Sequence, residues 1–339
     1  MLPAASILLP VRDAASTLPA ALDGLLCDSL RDIEVIAVDD GSHDETPQLL
    51  DDFARIDPRI RVFHQARLGL VPALNRGLAE VRGEILVRHD ADDVSVPGRV
   101  HAQAEFLRTH PEVDLVATRC RLFRDDGPAA EGMRHWAAWS NRLGTHEEIL
   151  RSRFIESPFA HPAVALRTEV LRRVGGYREG DFPEDYELWL RLLAGGSRFA
   201  RLRRVGVLVR EHLGRTIHRD SRYRPGAFRR LKREHLEREF LRPDEPLVLF
   251  GGGRVAKAWL RDFLAAGRPV AALADLDPRR IGMRIEDVPV VHAREAARGG
   301  RFGGLPALGA LGRPRSRAVL RQALPSLGRV EGSDFYFVA

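Results

Sequence analysis

Between residues 5 and 89 four apolar runs, ASILLPV (5–11), IEVIAVDD (33–40), IRVFHQ (60–65) and EILVRH (84–89), alternate with three stretches of helical spacing. That order predicts an α/β protein built on a parallel sheet with helices on both faces. The helices are expected up to Leu26, with Ser16 and Thr17 as cap candidates, over Thr46–Ile56, and over Val71–Val81. IEVIAVDD is apolar without alternation until it ends in two carboxylates, as a strand buried on both faces would be. Polar residues gather after the first, second and fourth strands, at their C-terminal ends. Open α/β sheets hold their ligands in that crevice.

Beyond residue 112 the pattern loosens. VDLVATRCRLF (113–123) is a strand candidate, 136–159 reads as irregular, and Tyr186–Leu193 reads as helical. A basic helix is expected to begin at Arg224-Pro225-Gly226 and to reach about Leu241. Arg242-Pro243-Asp244-Glu245-Pro246 has the composition of a linker, because two prolines interrupt either regular structure. The alternation then restarts with LVLFGGG, a helix over Val255–Ala266 and PVAALADLD. The expected organisation is a first domain over 1–241, with 201–241 as a basic helical extension, a linker at 242–246, and a small α/β domain over 247–339.

Composition narrows the class. With 339 residues, 44% of them hydrophobic, the chain can build two cores. No apolar run approaches the eighteen or so residues of a membrane span. The N-terminus MLPAASILLPVRD lacks a basic n-region and reads as a first strand, so a cytoplasmic protein is expected. Two cysteines, Cys27 and Cys120, give no disulfide framework and are expected to be small buried hydrophobes. Only Lys232 and Lys257 are lysines, so 51 of the 53 basic residues are arginine, a skew of the whole chain rather than of one surface. Residues 201–243 nevertheless hold 14 Arg/Lys against five Asp/Glu. Such a segment is either a solvated face or a surface for phosphates and anionic lipid, giving peripheral contact at the inner membrane face. It carries no nucleic-acid-binding motif, and no nucleic acid partner is expected.

The chemistry concentrates in two acidic clusters. VDDGS (38–42) and HDADD (89–93) end two different strands at the same edge of the sheet. Each alone is ordinary turn or N-cap material. Together they make an acidic crevice that is costly without a cation. A hard divalent ion, Mg²⁺ or Mn²⁺, held by one or two carboxylates and completed by a substrate diphosphate would relieve it. Asp90 and Asp92, two apart, would share one face of an extended strand.

At this point the motifs agree with a known family. Ser6-Ile7-Leu8-Leu9-Pro10-Val11, Val38-Asp39-Asp40-Gly41-Ser42 with Asp44 and Thr46, Leu74-Asn75-Arg76-Gly77-Leu78, Gly83-Glu84 and Asp90-Ala91-Asp92-Asp93 follow one another as in family 2 glycosyltransferases. Gly175-Gly176-Tyr177 and Glu184-Asp185 with Leu188-Trp189-Leu190-Arg191 resemble the acceptor-side signature of that family. The resemblance spans about residues 4–220. It implies a GT-A fold and inverting transfer of one sugar from a nucleotide-diphosphate donor, a UDP-sugar first, to a hydroxyl of a glycan or lipid-linked acceptor in cell-surface or extracellular glycan synthesis.

By the same resemblance Pro10, Val11, Arg12, Asp39, Asp40, Asn75 and Asp90 would line the donor nucleotide, and Asp92 would hold the metal, with His212 beside it. Asp185 would be the catalytic base, with Glu184, Trp189 and His161 on the acceptor side. Arg12 and Asp13 depart from the family, which usually has an aromatic and Asn there; a guanidinium can stack on a base as an aromatic does. The Gln-x-x-Arg-Trp signature of processive synthases is absent, which favours single-sugar transfer.

In the last third, Gly251-Gly252-Gly253-Arg254-Val255-Ala256 fits Gly-x-Gly-x-x-Ala between a strand and a helix, with Asp275 near the end of the next strand. It resembles small Rossmann-like domains attached to some sugar acyltransferases and methyltransferases. Gly251, Gly253 and Ala256 would form a phosphate loop; the alternative is a scaffold for docking or homodimerisation. Two other functions compete with sugar transfer. A nucleotidyltransferase would need a glycine- and lysine-rich phosphate loop near the N-terminus, and residues 10–20 offer none. A non-catalytic nucleotide-sugar-binding protein would have no need of Asp92 and Asp185 together.

Overall fold

The computed structural model describes residues 2–212, 214–215 and 220–339. By internal contacts the chain forms two compact units, Met1–Ile149 with Pro158–Asp220, and Leu150–Ser157 with Ser221–Ala339. The first begins with β1 (Ala5–Val11), α1 (Leu18–Leu26), β2 (Ile33–Asp40), α2 (Thr46–Ile56), β3 (Ile60–Gln65), α3 (Leu70–Glu80) and β4 (Ile85–Arg88). It adds β5 (Val94–Ser95), β6 (Leu115–Phe123), β7 (Val164–Arg167) and β8 (Phe199–Arg210). Eight strands form one mixed sheet in the order β3-β2-β1-β4-β7-β6-β8-β5. Its first four strands are parallel, and β7 then runs antiparallel to both β4 and β6. The fold is a GT-A-like α/β layer.

Close packing against β1 is written into two glycines. A Cβ on Gly77 of α3 would lie 2.3 Å from Leu8 Cδ1, and one on Gly83 would lie 2.9 Å from the Ser6 amide. Ile7, Leu9, Val35 and Val87 from the sheet bury with Leu22 of α1 and Leu50 of α2 in one core.

Several expectations are corrected. Residues 201–210 are not helical: they continue β8, in which Phe199, Arg201, Val207 and Val209 are buried while Arg203 and Arg204 are exposed. The charges masked a partial strand alternation, because Arg201 points inward and gives its Nη2 to the Pro158 carbonyl at 2.6 Å and to Ser140 Oγ at 3.1 Å. The stretch 136–159 is not irregular throughout. It holds the second half of the helix Glu131–Ser140 and the whole of the helix His146–Ser152, both too short to display a long apolar period, with Glu147 and Glu148 favouring the start of the second. Thr17 precedes α1 without a side-chain cap bond. Cys120 is buried as expected, but Cys27 is exposed. Among the described residues no helix is long and apolar enough to cross a membrane.

The second unit takes in the helix Pro225–Glu239, which precedes the proline linker in sequence. Arg229 pairs there with Asp262, Lys232 Nζ donates to the Ile155 carbonyl at 2.7 Å, and Arg153 meets Glu239 at 3.0 Å. Its sheet comprises β9 (Leu247–Phe250), β10 (Val270–Asp275), β11 (Arg284–Ile285), β12 (Val288–His292), β13 (Ala307–Gly309) and β14 (Phe335–Phe337), in the order β11-β12-β10-β9-β13-β14. Only β11 is antiparallel. Counted from β9, the five parallel strands therefore stand in the order 3-2-1-4-5. Phe250, Trp259, Phe263, Phe335 and Phe337 are fully buried there.

Candidate active site

The C-terminal ends of β1 and β2 are laced together. Asp13 N donates to Ser42 Oγ at 2.9 Å, His43 N to Asp13 Oδ1 at 2.8 Å, Ala14 N to Thr46 Oγ1 at 2.8 Å, and Ala15 N to Asp44 Oδ2 at 3.0 Å. Asp13 takes φ +47° to make the turn, a conformation that Asp tolerates. Pro10 and Val11 are buried beneath it and Arg12 is exposed, 3.4 Å from Asp13. Asp39 accepts from Ser42 Oγ at 2.5 Å and sits 3.0 Å from His64 Nδ1, which raises the His64 pKa. Asp40 accepts the amides of Leu68 at 2.8 Å and Gly69 at 2.9 Å, and so fixes the entry to α3. Both carboxylates are buried and hydrogen-bonded within the protein on both oxygens, so they build the wall of the crevice.

HDADD is a turn rather than an extended strand: the Asp93 amide donates to the Asp90 carbonyl at 3.3 Å. The turn, not strand alternation, brings the carboxylates of Asp90, Asp92 and Asp93 together, with one oxygen of each within 4.8 Å of the others. Burial alone would raise Asp90, but Arg88 at 2.5 Å and Arg215 at 3.9 Å overrule it and hold it at about 2. Asp92 remains part-exposed, with His212 Nε2 3.0 Å away. Asp93 is buried; one oxygen takes the Arg210 amide at 2.8 Å, the other has no hydrogen-bond partner, and burial raises its pKa well above the usual range. An all-oxygen donor set on one turn, with an unsatisfied buried oxygen, fits a hard divalent cation.

Behind the turn lies a buried cationic support that sequence reasoning missed. Arg88 and Arg99 are almost wholly inaccessible. Arg99 donates to the Arg88 carbonyl at 2.7 Å and stands 3.0 Å from His89 Nδ1. Burial, with Arg99 next to it, pushes His89 down to about 3, so it is neutral. Buried arginine has no sequence signature in a chain with arginine everywhere.

The opposite wall is the start of the helix Glu184–Ala194. Asp185 accepts the Tyr186 amide at 2.7 Å. Burial, reinforced by Glu184, pushes Asp185 up to about 8. Glu184 is buried, 3.7 Å from His161 Nδ1, and His161 Nε2 meets the Tyr177 hydroxyl at 2.9 Å. Desolvation keeps His161 neutral at ordinary pH. Two predicted roles change. Trp189 is fully buried and packs edge-on against His161, so it supports this wall from the core without facing the crevice. Asn75 gives Nδ2 to the Tyr177 carbonyl at 2.9 Å and takes the Tyr177 amide on Oδ1 at 2.9 Å, clamping the Gly175-Gly176-Tyr177 turn to α3.

A mixed sheet of this order, with an acidic turn behind β4 and a carboxylate pair at a helix start, is the arrangement that the sequence resemblance implies for a glycosyltransferase. Residues 6–175 match the model of the family described as Glycosyl transferase family 2, and the chain belongs to that family. It is a glycosyltransferase. It is 28% identical over 200 residues to the amylovoran biosynthesis glycosyltransferase AmsE of Erwinia amylovora, covering 59% of this chain and 72% of that one. Over 202 residues it is 29% identical to the UDP-Gal:alpha-D-GlcNAc-diphosphoundecaprenol beta-1,3-galactosyltransferase of Escherichia coli, covering 59% and 70%. In fold it is similar to S. aureus TarS 1-349 in complex with UDP-GlcNAc, with TM-score 0.54, 15% identity and 77% and 71% of the two chains covered. It is similar also to the mannosyltransferase PcManGT from Pyrobaculum calidifontis in complex with GDP-Man and Mn²⁺, with TM-score 0.50, 21% identity and coverage of 70% and 62%.

Proposed function

We propose that this enzyme moves a single sugar, with inversion, from a nucleotide-diphosphate donor to a hydroxyl of a glycan or lipid-linked acceptor in bacterial-type surface glycan synthesis. The observation that carries this reading is the meeting of two kinds of carboxylate around buried Arg88: Asp90, held ionised, and Asp185, held proton-hungry. Named relatives act in amylovoran synthesis and on a diphosphoundecaprenol acceptor, and two structural neighbours hold UDP-GlcNAc and GDP-Man, which supports the donor and acceptor classes. UDP is the first expectation for the nucleotide.

In this reading the donor nucleotide lies against Pro10, Val11, Arg12 and Asp39, with Asp90 toward the ribose. Asp92, with His212 beside it, would hold Mn²⁺ or Mg²⁺, and a bound ion supplies neutralisation of the diphosphate. Arg215 adds a fixed positive charge to the same turn. The acceptor hydroxyl enters beside Glu184 and His161. As its oxygen bonds to the anomeric carbon, Asp185 takes its proton and the carbon–oxygen bond to the diphosphate breaks. A hydroxyl is a weak nucleophile until a carboxylate of matched proton affinity accepts that proton. One displacement inverts the anomeric centre. A lipid-linked acceptor would bring the enzyme to an anionic membrane face, where exposed Arg224 and Arg238 near the helix Pro225–Glu239 would meet phosphates; co-sedimentation with anionic vesicles checks this.

The test combines a thermal-shift panel of nucleotide sugars with Mn²⁺, which ranks donors because binding to the native fold raises Tm, with the Asp185→Asn variant. That variant is expected to keep donor affinity and lose transfer by about 10²- to 10⁴-fold. Near-normal turnover would move the base elsewhere, with Glu184 the first suspect.

A further inference from the structure

The second unit holds a cavity of about 500 Å³ that the glycosyl-transfer chemistry does not use. It is lined by Gly252, Gly253, Arg254, Lys257, Arg261 and Arg280. With Ala258 the lining numbers seven residues, and four of them are cationic. Arg261 is paired with Glu286 at 2.8 Å and Arg280 with Asp275 at 2.9 Å. Arg254 and Lys257 have no acidic partner among the described residues. Arg254, Lys257 and Arg261 stand at successive turns of the helix Arg254–Ala265, so they share one face and one opening. The cavity therefore carries about two uncompensated positive charges. Lys257 is one of only two lysines in the chain, and the other, Lys232, is buried. A compact ammonium is a common phosphate binder.

Topology puts this charge in the right place. The sheet order runs in opposite directions on the two sides of β9, with β10 on one side and β13 on the other. Ligands of open parallel sheets bind at such a switch point, outside the carboxyl end of the strand. The loop that leaves β9 there is Gly251-Gly252-Gly253. A Cβ on Gly252 would lie 2.7 Å from Asp275 Oδ2 and 3.0 Å from Arg280 Cδ, so any other residue would push on the Asp275–Arg280 pair that closes over the loop. Gly253, by contrast, faces open space.

The same pair limits what can bind. In a dinucleotide site the carboxylate after the second strand receives ribose hydroxyls. Here Asp275 already accepts the amides of Leu276 at 2.7 Å and Asp277 at 3.0 Å on one oxygen and Arg280 on the other. A guanidinium, not a free carboxylate, faces the cavity. A dinucleotide fold also has two complete three-stranded halves, in the order 3-2-1-4-5-6, and beyond the switch point this unit has only β13 and β14. We infer that the second unit is an independent, metal-free binding site for a phosphate-bearing small molecule of mononucleotide size, held by Arg254, Lys257 and Arg280 over the Gly252-Gly253 amides.

The experiment uses the full chain carrying Asp92→Asn, in EDTA, so that metal-dependent binding at the donor site is silent. Inorganic pyrophosphate and UMP are titrated separately by calorimetry. Saturable binding of either probe is expected, and its Kd should rise at least tenfold in Lys257→Glu and in Arg254→Glu. Both side chains lie at the surface or near it, and circular dichroism verifies that the variants fold. Gly253→Ala gives a charge-neutral arm, since its methyl meets no protein atom and can only obstruct a ligand. Pyrophosphate binding alone identifies a site for free or terminal phosphates, and tighter UMP binding a nucleotide site. Absence of saturable binding by both probes, or binding unmoved by all three substitutions, overturns the inference. The glycosyl-transfer reading stands or falls separately, on Asp92 and Asp185.

Discussion

Asp185→Asn should stabilise the protein while it inactivates it, and the gain should depend on pH. In the folded chain the Asp185 pKa is raised from 3.8 to about 8. Unfolded, it ionises near the usual value. The sign follows: a folded pKa above the unfolded one means that, as pH rises, the unfolded chain releases this proton first. Stability is therefore lost progressively between about pH 4 and pH 8 and is level above that. Roughly four pH units at about 1.36 kcal/mol each set a ceiling near 6 kcal/mol. The carboxylate keeps partial access to water at the crevice, and we expect about 2 kcal/mol after that screening. Asparagine, of the same shape and without a charge, removes the penalty. For a unit of about 200 residues this is a rise in Tm of about 4–8 °C. The assay is a pair of thermal melts of native and variant protein at pH 5 and pH 9. The Tm difference should be small at pH 5 and several degrees larger at pH 9. A difference that is equal at both pH values would refute the elevated proton affinity on which the base assignment rests.

Three further outcomes are expected. Asp92→Asn should abolish the Mn²⁺-dependent part of nucleoside diphosphate binding in calorimetry while circular dichroism stays unchanged; unaltered affinity would remove Asp92 from the metal site. Gly77→Ala should lower stability by about 1–3 kcal/mol through overpacking against Leu8, read by urea denaturation. Trp189→Ala should destabilise the first unit by about 3–5 kcal/mol, whereas a residue facing only the acceptor would alter KM and leave the melt untouched.

The first sheet half was legible because each strand is apolar to its end and each helix has a full apolar face; β1, β2, α2 and β3 fall where the pattern puts them. What lay hidden lacks a local period. β7 has four residues, and β8 hides its alternation behind its arginines, of which Arg201 is buried and Arg203 and Arg204 are exposed. In the site, residue types could be read and their wiring could not. Asp90, Asp92 and Asp185 were identifiable by motif, yet the turn that gathers the acids needs three-dimensional closure to be seen. The same holds for the Arg88–Arg99 support and the Asn75 clamp. Trp189 illustrates the reverse: a residue inside a functional motif can serve it from the core.

The chain enters the second unit at Leu150–Ser157, leaves it, and returns for good at Ser221. Phe154 stacks edge-on with Tyr336, 182 residues later, and Lys232 donates to both Ile155 and Val338. During synthesis, then, Phe154 leaves the ribosome long before its partners exist, and that short segment must wait with its apolar side chains uncovered until the last strand is made. Completion of the second unit is thus a late event that depends on the C-terminal residues. Loss of even the final few, Phe335 to Ala339, would uncover the side of Phe154 that meets Tyr336, a fault that quality control could detect far from the cut.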